Sequence, residues 1–257
     1  MAHRENGELA ATFGDEPAPG QVRDLGWWRF ALQFSTVIVA MLLGAVPPVL
    51  LLGQSSAGLA ISTLASMVAA IAIAWFWLKN DGAAKVAFNL SRPDQGWGHT
   101  LAWAALATGV IIALFAIGAP LVSALGMAPP DVSLVMDQVT QSPATFVMWI
   151  VLVAMLSAGL GEELLWRGFL IDRLSRLKGL RGNMVAVLLA HAVLFGLPHA
   201  YQGLGGVLIT GTIGVFLGWL RFRMNGNLWA GVIGHAAVDV IMLSLGYGQS
   251  LGWYGGD

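Results

Sequence analysis

The stretch ATFVMWIVLVAMLSAGLGEELLWRGFL, residues 144–170, decides the fold. Residues 144–161 carry no charge, and a helix needs about 20 apolar residues to cross a hydrocarbon core. At its far end the same run acquires Glu162, Glu163 and Arg167. Ionisable groups at membrane depth cost several kcal/mol on insertion scales and are usually paired or face a wet cavity. The stretch therefore reads as a transmembrane helix carrying a polar site.

The rest of the chain agrees with that class. Of 257 residues, 57% are hydrophobic and 11% charged, with a mean hydropathy of +0.73, far from a soluble globular domain. A net charge of −1 with scattered basic residues excludes a nucleic-acid surface, which needs concentrated positive charge. There is no cysteine, so disulfides, thiolate metal sites and a cysteine nucleophile are excluded. The chemistry must use oxygen and nitrogen groups.

Spans are expected near 28–53, 58–78, 100–126, 144–166, 184–200, 205–222 and 228–247. The fold class is an all-α polytopic bundle of about seven spans, or eight if Pro47-Pro48 kinks or splits the first. Residues 1–25 are polar, rich in Gly, Pro and acids, and read as a disordered cytoplasmic tail; 26–250 form the membrane domain, and 251–257 a short outer tail. With the N-terminus in the cytoplasm, all 13 basic residues fall on one side, as Lys and Arg retention requires. Between spans two and three, Lys79 to Trp97 is too polar to cross and is expected along the headgroup layer, anchored by Val86, Phe88 and Leu90. Tryptophans near the interfaces, such as Trp27, Trp28 and Trp97, read as belt anchors. The Gly-rich run from Gly203 to Gly206, with Gly211 and Gly214, reads as close helix packing rather than a phosphate loop.

Polar residues recur in three spans. Glu163 and Arg167 are four apart, in the order that favours an ion pair. Glu162 points about 100° away and stays free to take a proton. A tight connection around Lys178–Gly182 would make the fourth and fifth spans an antiparallel hairpin, setting Glu162 and His199 at one height, about 18 residues from the turn on either side. The basic residues Arg173, Arg176 and Lys178 are expected to hold the base of this hairpin in the cytoplasm. His191, Phe195 and His199 share a face; His191 reads as packing and His199 as functional. His235 and Asp239 lie four apart in the last span, about two turns in from a basic loop. For Glu162–Arg167 the bland alternative is a solvated helix end, and for His235–Asp239 an intrahelical hydrogen bond hiding two polar groups from lipid. Glu162, His199 and His235 could equally hold a zinc ion and lower the pKa of a bound water, although H-E-x-x-H is absent.

Glu162-Glu163-x-x-x-Arg167, Phe195-x-x-x-His199 and His235-x-x-x-Asp239 together resemble the three motifs of the CAAX protease and bacteriocin-processing enzyme (CPBP, or abortive infection) family. The resemblance covers roughly residues 140–247, the expected catalytic core. It implies an intramembrane peptidase in which Glu162 and His199 activate water, His235 and Asp239 help bind the oxyanion, and Glu163, Arg167 and Phe195 support them. The third motif departs from the prenyl-protein proteases, which typically have asparagine at the position of Asp239. An ionised Asp239 cannot donate to an oxyanion, so it would have to be protonated or orient His235 instead. The expected activity is hydrolysis of a peptide bond in a membrane-associated peptide or protein tail, a lipidated one included, with no obligatory metal and zinc as the alternative. Membrane lipid is the expected surrounding partner, a bacterial inner membrane the implied location, and the site should open to the cytoplasm. Two other readings stand beside this one: a non-catalytic membrane binding or immunity protein of the same fold, and a proton-coupled transporter. The transporter reading lacks the paired broken helices such sites use.

Overall fold

A computed structural model describes residues 24–254 of the chain, and over them the protein is a bundle of helices. In order these are α1 (Trp27–Leu52), α2 (Ser56–Asn80), the short α3 (Ala84–Ala87), α4 (Gly96–Ala124), the short α5 (Ser133–Val139) and α6 (Pro143–Arg176). They continue with α7 (Met184–Gly196), a 3-10 segment (Leu197–Gln202), α8 (Gly203–Arg223) and α9 (Trp229–Ser250). Among the described residues, six helical runs are long and apolar enough to cross a membrane, and Met184–Arg223 counts as one of them.

That 40-residue run is folded back on itself. Gly203 has φ of 82°, a left-handed conformation that glycine adopts freely, and it turns the chain at the end of the 3-10 segment. A Cβ at Gly196 would meet Val207 O, one at Gly214 the Cα of Ala192, and one at Gly218 the side chain of Leu188, so α7 and α8 run antiparallel at close range. With 13 residues in α7 and six in the 3-10 segment, this arm is about 30 Å long, enough for a crossing. The all-helical bundle of about seven spans is thus borne out, and Gly205, Gly206, Gly211 and Gly214 are close-packing residues, whereas Gly203 has open space beside it and serves the turn.

Helix α6 is central, packed between α2 and α9, with α4 on the far side of α9 and α8 bridging α4 and α7. Every residue from Glu163 to Leu174 is buried. Small residues allow the approach: a Cβ at Gly159 would lie 2.5 Å from Ala236 Cβ, and one at Gly161 would lie 2.3 Å from Met67 Cγ. Over Trp149–Leu170 the helix is wound more widely than an α-helix, with i→i+5 hydrogen bonding, and the Ser157 hydroxyl also reaches five residues back to the Leu152 carbonyl at 2.7 Å. Such winding frequently marks functional sites.

Three local expectations are corrected. Pro47 and Pro48 do not break α1, which runs continuously to Leu52. The Ser66 and Ser62 hydroxyls of α2 donate to the Met41 and Ala45 carbonyls, each at 2.8 Å, so the proline-weakened stretch is supported by its neighbour. Of the three anchors expected after α2, only Val86 is exposed. Phe88 packs on Gly168, and Leu90 joins Leu164, Leu228 and Val232. The loop is stitched to the start of α9, where Leu228 N donates to Asn89 O at 3.0 Å and Trp229 Nε1 to Leu90 O at 2.9 Å. Trp28, by contrast, is 91% exposed, as a belt residue should be.

The third correction concerns the base of the α6–α7 hairpin. Arg173 is fully buried, paired with Asp81 at the end of α2 and with Asp172 at 2.8 Å, while Arg176 also holds Asp172 at 2.6 Å and Arg29 of α1 holds Asp81. Asp81 from the end of α2, with Asp172 beside it on α6, covers a guanidinium that basic composition alone assigns to solvent. Residues 1–23 and 255–257 of the expected tails lie outside the described residues. Asp24 and Leu25 are tied down: Arg181 pairs with Asp24 at 2.6 Å, and Leu25 exchanges backbone hydrogen bonds with Arg176 O and Lys178 N.

Candidate active site

Glu163 sits at the junction of three helices. Its side chain is 1% exposed, and Oε1 lies 3.1 Å from both Arg167 Nη1, one turn on in α6, and His235 Nδ1 of α9. Arg167 is 0% exposed, and its guanidinium carbon lies over the Phe195 ring of α7, 4.0 Å from the centroid. One acid, one base, one ring and one histidine therefore lock α6, α7 and α9 together. The other carboxylate oxygen lies against α9 where Gly231 leaves space: a Cβ there would be 2.6 Å from Oε2. Gly231→Ala is expected to push the carboxylate off His235 and to cost about 1–3 kcal/mol, read as a lower unfolding midpoint in detergent; unchanged stability would show that the notch is not needed.

The adjacent acid is placed differently. Glu162 is half-buried, and among the described residues no hydrogen bond or ion pair engages its carboxylate. It lies within electrostatic range of His235, Arg167, Asp239 and Glu163. His199 is carried by the 3-10 segment, beyond Pro198, which has no N–H to continue the helix. Its Nδ1 lies 3.1 Å from the Phe195 carbonyl, which can only accept, so Nδ1 carries the hydrogen and Nε2 keeps its lone pair. His199 is also half-buried, within electrostatic range of His235 and Arg167.

His235 and Asp239 share a face of α9 as their spacing requires, but Nε2 and Oδ2 are 3.8 Å apart, beyond hydrogen-bond length. The hydrogen-bond partner of His235 is Glu163. His191 is fully buried, stacked 5.8 Å from Phe195 with 10° between the rings, and bounded by Gly214 and Gly218. Packing is its role. Among the described residues, no group of three or more His, Asp and Glu side chains stands close enough together to hold a metal ion.

Three residues escaped the reading of the sequence. Gly231 precedes His235 by four, and that spacing, which puts a glycine and a histidine on one face, was the available signal. Tyr201 and Gln202 close the 3-10 segment: Gln202 Nε2 donates to the Tyr201 hydroxyl at 2.9 Å, the tyrosine ring lies 6.2 Å from that of His199, and the hydroxyl is within electrostatic range of Glu162 and Asp239. No periodicity marks them, because the 3-10 winding that aims them begins only at Leu197.

Residues 143–241 match the family described as Type II CAAX prenyl endopeptidase Rce1-like. The match runs from the start of α6 into α9, includes all three motifs, and bears out the resemblance they suggested; α1 to α5 lie outside it. No curated protein and no solved structure matches the chain. The protein is an integral membrane protein whose polar core carries the signature of a protease family.

Proposed function

We propose that the chain is an intramembrane endopeptidase that hydrolyses a peptide bond in a membrane-associated peptide or protein tail, with Glu162 and His199 activating the water. One observation carries this reading: two acids adjacent in sequence have opposite environments. Glu163 is buried and committed to Arg167 and His235, whereas Glu162 is half-buried and uncommitted, and both it and His199, whose Nε2 lone pair is free, lie within electrostatic range of His235 and Arg167. A structural acid needs the first environment and a general base the second.

In the reaction, a water hydrogen-bonded to His199 Nε2 gives a proton to the Glu162 carboxylate as its oxygen adds to the scissile carbonyl carbon. The C–N bond then breaks, and Glu162 returns the proton to the leaving amine. His235, braced by Glu163, and Asp239 form the α9 side of the site. No obligatory metal is invoked. The concentration of basic groups where α1 begins and α2, α6 and α8 end supports a cytoplasmic placement of that end and of the N-terminus; a bacterial inner membrane is the location that the family resemblance implies. A lipidated tail is the favoured substrate, since it would reach the site from the membrane plane.

The test is cleavage of a membrane-associated peptide by purified protein in detergent. Wild type should cleave, His199→Ala should lose about 10²-fold or more, and a strong chelator should change the rate little. Unchanged cleavage in His199→Ala would remove the histidine from the mechanism, and loss with chelator that zinc restores would make the site a metal centre. A non-catalytic immunity protein of this fold would show no cleavage at all.

A further inference from the structure

We infer that the groove between α4, α7 and α8 holds one acyl chain of an anionic phospholipid, with the lipid's phosphate set against Arg223 at the basic end of the bundle. No residue of the three motifs lines this groove, and its occupancy is read by binding alone, so the site stands apart from the endopeptidase reading.

The groove has a volume of about 660 Å³, and its walls are hydrocarbon. The only lining side chains with polar atoms are Thr212, whose hydroxyl donates to the Leu208 carbonyl of its own helix at 2.8 Å, and Trp219 at one end. A polar ligand would find no partner along such walls, whereas an alkyl chain needs none. The α8 wall is the row Val207, Gly211, Val215 and Trp219, spaced by four as one helix face requires. From Val207 to Trp219 is about 18 Å along the axis, close to the roughly 15 Å depth of one leaflet of a hydrocarbon core. Gly211 keeps the floor open, since a Cβ there would touch only the Ala192 backbone. Val193, Leu197 and Leu208 on the rims are exposed, so a chain enters sideways from the bilayer.

Charge at one end of the groove selects the headgroup. The α8 row continues to Arg223, one turn beyond Trp219, where basic groups gather. Arg223 is exposed, its guanidinium carbon lies 5.2 Å from the centroid of the Trp103 ring, and it forms no ion pair among the described residues. The α4 wall leads the same way: the face that carries Leu114 and Val110 continues to Trp103 and His99, toward the start of the helix. Trp103 and Trp219 meet edge to face with centroids 5.7 Å apart. The His99 ring lies 6.2 Å from that of Trp103, and its Nε2 is buried without a hydrogen-bond partner. Two indoles and a guanidinium thus stand where an apolar channel ends, as the boundary between acyl chain and phosphate requires. An uncompensated arginine favours a headgroup with net negative charge over a zwitterionic one, whose ammonium would meet the same cation.

The experiment titrates the full chain in detergent with dioleoyl phosphatidylglycerol, with dioleoyl phosphatidylcholine and with inorganic phosphate alone, and reads bound ligand by native mass spectrometry beside the unfolding midpoint. Phosphatidylglycerol should bind about fivefold more tightly than phosphatidylcholine, the effect of one basic group near a headgroup, and phosphate alone should not bind. Arg223→Gln should bring the two lipids level, whereas Lys85→Gln, which removes another exposed charge of the same end, should leave the preference intact. Thr212→Trp and Leu208→Trp fill the groove from exposed wall positions and should each weaken both lipids about tenfold, the loss of roughly two buried methylenes; an unchanged unfolding midpoint without lipid separates this from misfolding. Equal binding of the two lipids by wild type, or loss of the preference in Lys85→Gln as well, would overturn the anionic site. Wild-type lipid affinity in both tryptophan variants would overturn the groove as its seat, and binding of phosphate alone would overturn the role of the chain. If a farnesylated peptide displaces phosphatidylglycerol one for one, the groove is a substrate anchor and the assignment of a phospholipid falls.

Discussion

Glu162→Gln is expected to lower kcat for peptide cleavage by about 10²–10⁴-fold while leaving the unfolding midpoint in detergent close to that of wild type. The substitution keeps the shape of the side chain and removes its capacity to take a proton. Stability should hardly respond, because no hydrogen bond or ion pair is lost with the charge and the group is half-buried. The adjacent Glu163→Gln is the control, and its signature should be inverted. There the carboxylate is 1% exposed and binds Arg167 and His235 at once, so neutralising it should destabilise the bundle and lower activity through loss of folded protein. If Glu162→Gln retained full kcat, proton transfer would have to run through another group, and the contrast between the two acids would have no mechanistic meaning. If it unfolded the protein, Glu162 would be a second structural acid.

Much of this arrangement could be read from local pattern, and what could not follows from contacts between distant segments. Acids and an arginine at the end of an apolar run are visible because lipid makes them costly, and four-residue spacing alone pairs Glu163 with Arg167. The hairpin and the shared level of the first two motifs follow from counting outward from Gly179 and Gly182, both of which adopt positive φ. What Phe195 does was hidden: a ring supporting a guanidinium from another helix has no signature in either segment. Gly231 is conspicuous only once a carboxylate from α6 is known to rest on it. Pro47-Pro48 misled because the hydroxyls that support that stretch lie on α2, and Arg173 misled because its partners Asp81 and Gln33 come from α2 and α1. In each case a local rule was overridden by a group that the local sequence does not contain.

That logic gives the largest expected stability effect. Arg167→Leu should lower the stability of the detergent-solubilised protein by about 3–5 kcal/mol, because removing one partner of a buried ion pair strands the other charge. Glu163 would remain fully buried with only His235 to oppose it, and the Phe195 ring would lose the cation resting on its face. Glu163→Leu should cost a similar amount by stranding Arg167. The double variant Arg167→Leu/Glu163→Leu should recover a large part of either loss, since two apolar side chains replace a pair whose desolvation cost opposed its attraction. Activity should not recover with it: His235 would lose the acceptor that orients Nδ1, and the α9 side of the site would be free to turn. Stability restored while kcat stays low would mark the pair as a device for placing His235. If the double variant were as unstable as the sum of the singles, the two residues would act independently, and the junction of α6, α7 and α9 would have to be held by packing alone.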